Sequence, residues 1–170
     1  MMIRPLGEEY RARVHELRDE SERRLSGKGL DQFTTGPRAA KAHEHLDALM
    51  DVRAFAGWLN GDGKLTAVVA VEDEGDPDFW TVTEAGEQDV RYVCRFMSEP
   101  GSGDGDRLMN AVMADERANG TRLLRLDCWA TNEGLHDYYR KHGWRHVRTM
   151  KVPGRYSGAL FDFRLEVAGS

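Results

Sequence analysis

The sequence is short of cysteine and proline, and it has no long apolar run. It contains two cysteines, Cys94 and Cys128, and five prolines among 170 residues. The cysteines lack the CxxC spacing of redox and zinc motifs, and no secretory signal pattern precedes them. We therefore expect two reduced core thiols in a cytoplasmic protein. No apolar run approaches the roughly 20 residues of a membrane-spanning helix, so no membrane association is expected.

The sequence also lacks an excess of basic residues. Lys and Arg number 24 against 29 Asp and Glu, the formal net charge is −5, and the basic residues are scattered along the chain. This pattern argues against a nucleic-acid-binding surface. Apolar residues make up 40% and charged residues 31%, which is typical of a globular chain. Because 170 residues are near the usual size of one domain, we predict a single domain over residues 1–170.

Hydrophobic periodicity and turn residues predict an α/β chain with the element order β-α-α-β-β-β-α-β-α-β-β. The predicted strands lie near residues 2–6, 53–59, 65–72, 90–97, 122–129, 144–150 and 157–167. The predicted helices lie near residues 7–25, 38–50, 106–120 and 131–143. The turn at residues 60–63, Asn-Gly-Asp-Gly, is the clearest local signal, because such pairs supply the positive φ angles of a tight hairpin. Between the first two helices we expect a loop that exposes Asp31, Gln32 and Phe33.

The stretch EPGSGDGDRLMN, residues 99–110, places three alternating glycines between a predicted strand and a predicted helix. A strand, a glycine loop, a helix and a parallel strand form a βαβ unit, in which the free N–H groups at the helix start can bind an anion. A solvated turn is the alternative interpretation of this stretch. The GxGxG spacing differs from the GxGxxG of a dinucleotide-binding fold, and no Gly-Lys-Ser/Thr sequence of a P-loop follows.

The second informative stretch is NEGLHDYYRKHGW, residues 132–144. It resembles a hallmark of the GNAT superfamily of acyl-CoA N-acyltransferases. The five matching positions are Asn132, Leu135, Tyr139, Gly143 and Trp144. The upstream stretch 95–129, with its strand, glycine loop, helix and strand, is similar to the family's other hallmark. The resemblance implies an α/β fold whose mixed, mostly antiparallel sheet has one parallel pair where the coenzyme binds, with helices on both faces.

The same resemblance implies an N-acetyltransferase that moves an acetyl group from acetyl-CoA to a primary amine of a small molecule by direct attack. Tyr139 would protonate the departing thiolate, and Asn132 would hydrogen-bond the coenzyme arm, although its position equally suits a helix N-cap. The pantetheine arm would lie along Phe96, Met97 and Ser98. The pyrophosphate would contact the backbone amides of Gly101, Ser102, Gly103, Asp104, Gly105, Asp106 and Arg107.

The two carboxylates of this loop are unusual beside a pyrophosphate. If the loop binds phosphate, the side chains of Asp104 and Asp106 must point toward water while the amides face inward. The basic side chains of Arg107, Arg140 and Lys141 are close in sequence and would offset the acidic charge. Weakened coenzyme binding is the consequence to test.

The catalytic base and the acceptor pocket have several candidates each. The candidate bases are Asp127, Glu84, Glu99 and His136. The acids that would attract a cationic amine are Asp31, Asp76, Asp78 and Glu84, and the aromatic walls would be Phe33, Phe79 and Trp80. The alternative is that these acids are solvated and these aromatics cover the core.

Two further functions stay open at this stage. The first is a non-catalytic acyl-CoA-binding or regulatory module, in which the loop acids have removed turnover. The second is a structural domain that uses the fold for association. Dimers are common among proteins similar to this one, so a homodimer is a candidate assembly whose existence the sequence does not decide, and no metal site is predicted.

Overall fold

The computed structural model describes residues 4–29 and 41–166. The strands are β1 (Arg4–Pro5), β2 (Phe55–Leu59), β3 (Leu65–Glu72), β4 (Val90–Ser98), β5 (Leu123–Trp129), β6 (Arg145–Thr149) and β7 (Ser157–Arg164). The helices are α1 (Arg11–Gly27), α2 (Ala42–Asp51), α3 (Val82–Ala85), α4 (Asp104–Ala118) and α5 (Glu133–Lys141), and a 3₁₀ turn at Glu8–Tyr10 precedes α1. The predicted element order is confirmed, with α3 and the 3₁₀ turn as additions. The predicted loop residues Asp31, Gln32 and Phe33 lie outside the described residues.

The chain divides into two compact units. The first comprises Met1–Val71 and Arg95–Met113, and the second comprises Glu72–Cys94 and Ala114–Ser170. In the first unit, β1 pairs with β2 and β2 with β3, both antiparallel, and the end of β4 follows β3 in the strand order. The buried faces of the two helices supply much of its core. The core side chains from α1 and α2 are Val14, Leu17, Leu46, Leu49 and Met50.

The hairpin between β2 and β3 shows why the turn prediction succeeded. The Asn60 N–H donates to the Lys64 carbonyl over 2.9 Å, and the Gly63 N–H donates to the Asn60 carbonyl over 3.0 Å. The side-chain oxygen of Asn60 accepts from the N–H groups of Asp62 and Lys64, each over 3.0 Å. Gly63 has a φ of +78°, a conformation that side-chain-bearing residues rarely adopt. The turn residues therefore define the register of the hairpin.

The second unit contains the parallel pair. Here β4 and β5 run parallel with register from Val90 opposite Leu123 to Tyr92 opposite Arg125, whereas β5 with β7 and β6 with β7 are antiparallel. The predicted fold class, a mixed and mostly antiparallel sheet with one parallel pair, is confirmed. A buried cluster anchors this unit. Its members are Phe79, Trp80, Tyr92 and Leu160.

The short helix α3 was not predicted, because it lies in a polar segment without helical periodicity. Thr81 accepts a hydrogen bond from the Glu84 N–H, and the Glu84 carboxylate accepts from the Thr81 N–H, which forms a capping box. Arg148 of β6 donates to both Glu84 carboxylate oxygens over 2.7 Å and to the Phe79 carbonyl over 2.8 Å. A contact distant in sequence therefore holds this one-turn helix.

Candidate active site

The glycine loop of the first unit folds as a tight turn into α4. Gly101 and Gly103 have φ angles of +79° and +72°, which favour glycine. The Ser102 hydroxyl donates to the Glu99 carbonyl and accepts from the Asp104 N–H, each over 3.2 Å. Helix α4 thus begins at Asp104, two residues earlier than predicted. The Ser102 hydroxyl satisfies one of the N–H groups that a helix start leaves without an intrahelical acceptor.

Gly105 has a different role from the two glycines before it. It lies inside the first turn of α4, where an added Cβ would lie 2.9 Å from the Ser98 hydroxyl oxygen and 3.0 Å from the Phe96 ring. Both distances are too short for comfortable packing. The glycine therefore allows the start of α4 to approach the end of β4 closely, and the three alternating glycines serve two physical purposes.

Asp104 contradicts the prediction that both loop carboxylates point toward water. Its side chain is buried, with only 4% of the residue exposed. The Thr66 hydroxyl donates to Asp104 Oδ2 over 2.8 Å, and Arg107 Nη1 donates to Oδ1 over 2.6 Å. Burial acts to raise the pKa of this carboxyl, but the hydrogen bonds from Thr66 and Arg107 outweigh it and lower the pKa. The carboxylate is therefore ionised, paired and turned away from water.

Asp106 behaves as predicted, since it is exposed. A negative charge in the first turn of a helix is stabilised by the helix dipole when no ligand is bound. The predicted charge compensation is confirmed for Arg107, which pairs with Asp104. Arg140 instead pairs with Asp137 over 3.1 Å on α5.

The three predicted coenzyme-arm residues end β4. Met97 is buried, whereas Phe96 and Ser98 are half-buried. Arg95, just before them, has a φ of +52° within the strand, which is unusual for a residue with a side chain. The Ser98 carbonyl accepts a hydrogen bond from Arg24 Nη1 of α1 over 3.3 Å. Sequence reasoning missed Arg95 and Arg24, because neither residue type signals a positive φ angle within a strand or a hydrogen bond to a strand end.

In the second unit, Asn132 is the N-cap of α5. Its side-chain oxygen accepts from the Leu135 N–H over 3.1 Å. This geometry confirms the capping interpretation of Asn132. Its contact with a coenzyme arm stays a prediction.

Tyr139 lies on α5 within a cluster of aromatic rings. Its ring centroid is 5.4 Å from Tyr138, 5.7 Å from Trp144 and 5.5 Å from Phe161, and only 5% of the residue is exposed. Burial raises the pKa of this phenol well above its usual value, and the nearby Cys128, Tyr138 and Asp127 raise it further. The phenol is therefore protonated at neutral pH and can act as a hydrogen donor.

Cys128 precedes Trp129 on β5 and is poorly suited to nucleophilic attack. The thiol is buried, and burial together with the Asp127 carboxylate raises its pKa to about 12. Because the thiolate is the nucleophilic form, this environment disfavours a covalent acyl-enzyme. Both cysteines are free of disulfides.

Two of the four candidate bases form ion pairs with basic side chains. Arg148 holds Glu84 and lowers its pKa to about 2, although burial opposes the shift. Glu99 forms ion pairs with Arg13 and Lys64.

The remaining two candidates belong to the second unit. His136 is buried, with its Nε2 atom 2.9 Å from the Trp129 carbonyl oxygen. Asp127 is half-buried and accepts a hydrogen bond from the Ser157 hydroxyl. Which of the four residues acts as the base stays a prediction.

The predicted acceptor-pocket residues of the second unit have other roles. Phe79 and Trp80 are 1% and 4% exposed, so their burial supports the core alternative. Asp76 and Asp78 both pair with Arg155. Sequence reasoning missed a stacked pair of aromatic side chains, one of which is exposed.

That pair consists of Trp129, at the end of β5, and Tyr156, just before β7. The rings stack with centroids 5.1 Å apart and planes inclined by 15°. Tyr156 is half-exposed, which is unusual for a large aromatic side chain. A stacked pair of this kind offers a face to a cation.

Within residues 4–29 and 41–166, no group of three or more His, Cys, Asp or Glu side chains converges on a point that could hold a metal ion. In the same part of the chain, no helix is long and apolar enough to span a membrane.

No protein-family model matches this sequence. No curated protein matches it at the level of sequence. Solved structures, in contrast, match over nearly the whole chain. A GNAT-family acetyltransferase from Listeria monocytogenes has a TM-score of 0.72 at 18% identity, covering 96% of this chain and 94% of its own.

Two further structures extend the likeness. An N-acetyltransferase from Staphylococcus aureus Mu50 has a TM-score of 0.68 at 15% identity and covers 97% of this chain and 98% of its own. The yncA protein from Salmonella typhimurium, solved with its cofactor acetyl-CoA, has a TM-score of 0.66 at 15% identity and covers 100% of this chain and 96% of its own. This chain therefore has the fold of the GNAT-family acetyltransferases.

Proposed function

We propose that this protein is a GNAT-superfamily N-acetyltransferase that transfers an acetyl group from acetyl-CoA to the primary amine of a small molecule. The single observation that carries the proposal is the buried, protonated phenol of Tyr139 at the hallmark spacing from Asn132. The shared fold and the acetyl-CoA bound to the similar yncA protein support it. Free thiols at Cys94 and Cys128 favour a reducing compartment such as the cytoplasm.

The first unit would hold the coenzyme at the start of α4. Backbone N–H groups between Gly101 and Asp106 would bind the pyrophosphate, aided by the positive end of the helix dipole. The Asp104 N–H donates to Ser102, and the Arg107 N–H to the Gly103 carbonyl, so these two amides contribute less than the others. Phe96, Met97 and Ser98 would flank the arm. Because the Asp104 carboxylate is paired and buried, only the exposed Asp106 carboxylate would repel the pyrophosphate.

The reaction would proceed by direct attack within a ternary complex. The neutral amine attacks the thioester carbonyl carbon, a C–N bond forms, and the tetrahedral intermediate collapses with cleavage of the C–S bond. The sulfur leaves with the electron pair of the C–S bond and takes the Tyr139 hydroxyl proton. The phenolate then recovers the proton that the positively charged nitrogen of the former amine releases as the neutral amide forms. A free Cys128 with a raised pKa gives no support to an acyl-enzyme route.

The second unit would also receive the amine. Asp127 would accept the amine proton, directly or through water, because this half-buried carboxylate lies on β5 two residues before Trp129. The stacked Trp129 and Tyr156 rings would bind the cationic part of the acceptor by cation–π contact. These three residues favour a small amine with a positive charge.

A thiol-release assay tests the proposal. Purified protein and acetyl-CoA are incubated with a panel of polyamines, aminoglycosides and amino acids, and free coenzyme A thiol is measured. We expect release with at least one cationic amine, together with a thermal midpoint that rises with acetyl-CoA because the ligand binds the folded state. Stabilisation without thiol release from any amine would favour a non-catalytic acyl-CoA-binding module. If acetyl-CoA neither stabilises the protein nor releases thiol with any amine, both functions are refuted.

A further inference from the structure

The basic side chain in the first turn of α4 is already used within the protein. Arg107 donates to the buried Asp104 carboxylate over 2.6 Å and to the Ser102 carbonyl over 3.3 Å. Asp106 adds an exposed carboxylate to the same turn. Each phosphate of a pyrophosphate diester carries a negative charge, and the charge of Arg107 is already balanced by Asp104. A cation from another element of the first unit would therefore strengthen binding at this helix start.

Arg24, in the last turn of α1, reaches the end of β4 beside that helix start. Its side chain is half-buried, and its Nη1 atom donates to the Ser98 carbonyl over 3.3 Å. The side chain of Ser98 meets α4, since an added Cβ on Gly105 would lie 2.9 Å from the Ser98 hydroxyl oxygen. One residue, Ser98, therefore contacts both the Arg24 guanidinium and the first turn of α4.

The bond from Arg24 to Ser98 is weak for a guanidinium. Its length of 3.3 Å exceeds the usual range of about 2.7–3.2 Å, and the acceptor is an uncharged carbonyl. Within residues 4–29 and 41–166, no carboxylate forms an ion pair with Arg24. A guanidinium presents a planar fork of N–H donors that matches the oxygens of a phosphate, and such charged hydrogen bonds are about twice as strong as neutral ones. A phosphate close to Ser98 would therefore be a better partner than the carbonyl.

We propose that Arg24 is a coenzyme-binding residue that leaves the Ser98 carbonyl and pairs with the pyrophosphate when acetyl-CoA binds. The inference rests on the proposed function, because it takes acetyl-CoA as the ligand at the start of α4. The Arg24 charge offsets the repulsion between the pyrophosphate and the exposed Asp106 carboxylate. The released Ser98 carbonyl becomes an acceptor for an N–H group of the pantetheine arm. A single side-chain movement therefore serves two parts of the coenzyme.

Titration calorimetry of the full chain with acetyl-CoA tests the proposal. Arg24→Met keeps a side chain of similar length but removes the charge, and it should weaken binding by about tenfold or more. Arg24→Lys retains the charge and should stay within about threefold of the wild type. Arg23→Ala is the matched control, because Arg23 is an exposed arginine on the same helix turn, and its affinity should be unchanged. Circular dichroism and urea unfolding confirm that each variant folds.

Added salt separates a charge contact from a structural one. The loss in Arg24→Met should shrink as ionic strength rises, because counterions screen the ion pair. A loss that salt does not change would mean that Arg24 only holds the Ser98 carbonyl, and it would overturn the proposal. The 3′-dephospho form of acetyl-CoA keeps the pyrophosphate, so the variant should lose the same factor with that ligand. A loss confined to the ligand with the 3′-phosphate would overturn the assignment to the pyrophosphate.

Two outcomes distinguish this inference from the proposed function. Equal acetyl-CoA affinity in the wild type and in Arg24→Met, with thiol release intact, would overturn the inference and leave the acetyltransferase standing. A wild-type protein that binds no acetyl-CoA would overturn the proposed function and the inference together.

Discussion

Asp104 in the first unit and Tyr139 in the second are buried to nearly the same extent, at 4% and 5% exposure, yet their surroundings act on them in opposite ways. Asp104 accepts hydrogen bonds from Thr66 and Arg107, and these donors lower its pKa against the effect of burial. Tyr139 packs among aromatic rings, and burial raises its pKa. Burial therefore maintains a charge where donors converge and maintains a proton where they do not.

The comparison suggests different roles for the start of α4 and for α5. A lowered carboxyl pKa at the start of α4 belongs to structure, since the Asp104 charge is used within the protein. Under the proposed function, the raised phenol pKa on α5 serves the reaction, since the proton would be retained for a thiolate. Variants in each region should therefore affect different measurements.

Tyr139→Phe should have the largest effect. Removing the phenol proton donor should lower kcat by about 100-fold or more, since a general acid contributes about 10²–10⁴-fold. Coenzyme affinity and the thermal midpoint should change little, because the ring packing with Trp144 and Phe161 is retained. Steady-state thiol release and calorimetry measure the two quantities. Tyr138→Phe is the matched control. Equal kcat values for the two variants would mean that the Tyr139 hydroxyl has no part in the mechanism.

Phe161→Ala tests how much the aromatic cluster around Tyr139 contributes to stability. Phe161 is fully buried and contacts Tyr139, His136 and His146. Its truncation should lower the free energy of unfolding by about 3–5 kcal/mol, because the transfer free energy is lost and a cavity is left. Urea unfolding measures the change. Tyr156→Ala, at a half-exposed ring, should cost clearly less, and a similar cost would contradict the assignment of Phe161 to the core.

Asp104→Asn tests whether the buried carboxylate is structural. The asparagine amide cannot replace both the charge and the acceptor that Arg107 and Thr66 use. We expect the free energy of unfolding to fall by about 1–3 kcal/mol. Urea unfolding measures this loss, and titration calorimetry should show no gain in acetyl-CoA affinity. A variant that binds the coenzyme more tightly without losing stability would show that this carboxylate repels the ligand.

Glu84→Gln tests the ion pair that holds α3. The folded-state pKa of about 2 lies below the ordinary value of 4.5, so the ionised form is the one that folding stabilises. Its contribution is complete above about pH 4.5 and is lost as the pH falls toward 2. At neutral pH the variant should lose about 1 kcal/mol, a usual upper value for an ion pair that is partly exposed. Urea unfolding at several pH values should show the gap from wild type closing between pH 4.5 and 2. The exposed Glu74→Gln control should leave the profile unchanged.

Asp106→Asn should have the smallest effect. It makes the same substitution as Asp104→Asn, but at an exposed carboxylate of the same helix turn. Removing an exposed charge near the pyrophosphate should raise acetyl-CoA affinity by about twofold to fivefold, which corresponds to about 0.4–1 kcal/mol. Titration calorimetry at low salt measures the change, and added salt should reduce it. Unchanged affinity at low salt would mean that the ligand phosphates do not approach this helix start.

Local signals explain which parts of the structure were predictable. The hairpin register followed from residues 60–63, and the N-cap of α5 followed from Asn132, because each depends on neighbours within a few residues. The burial of Asp104 depends on Thr66, which is 38 residues away, and α3 depends on Arg148, which is 64 residues from Glu84. The left-handed conformation of Arg95 has no local signature either. Contacts distant in sequence therefore account for what the sequence did not reveal.

The capping box of α3 has a kinetic consequence. A single helical turn of four residues is too short to persist alone in water, and Arg148 of β6 must be in place before Glu84 has its partner. During refolding, residues 81–87 should therefore acquire amide protection only after β6 has paired with β7. In the native protein, the same amides should exchange with deuterium earlier than those of β7, which opens only with the unit as a whole.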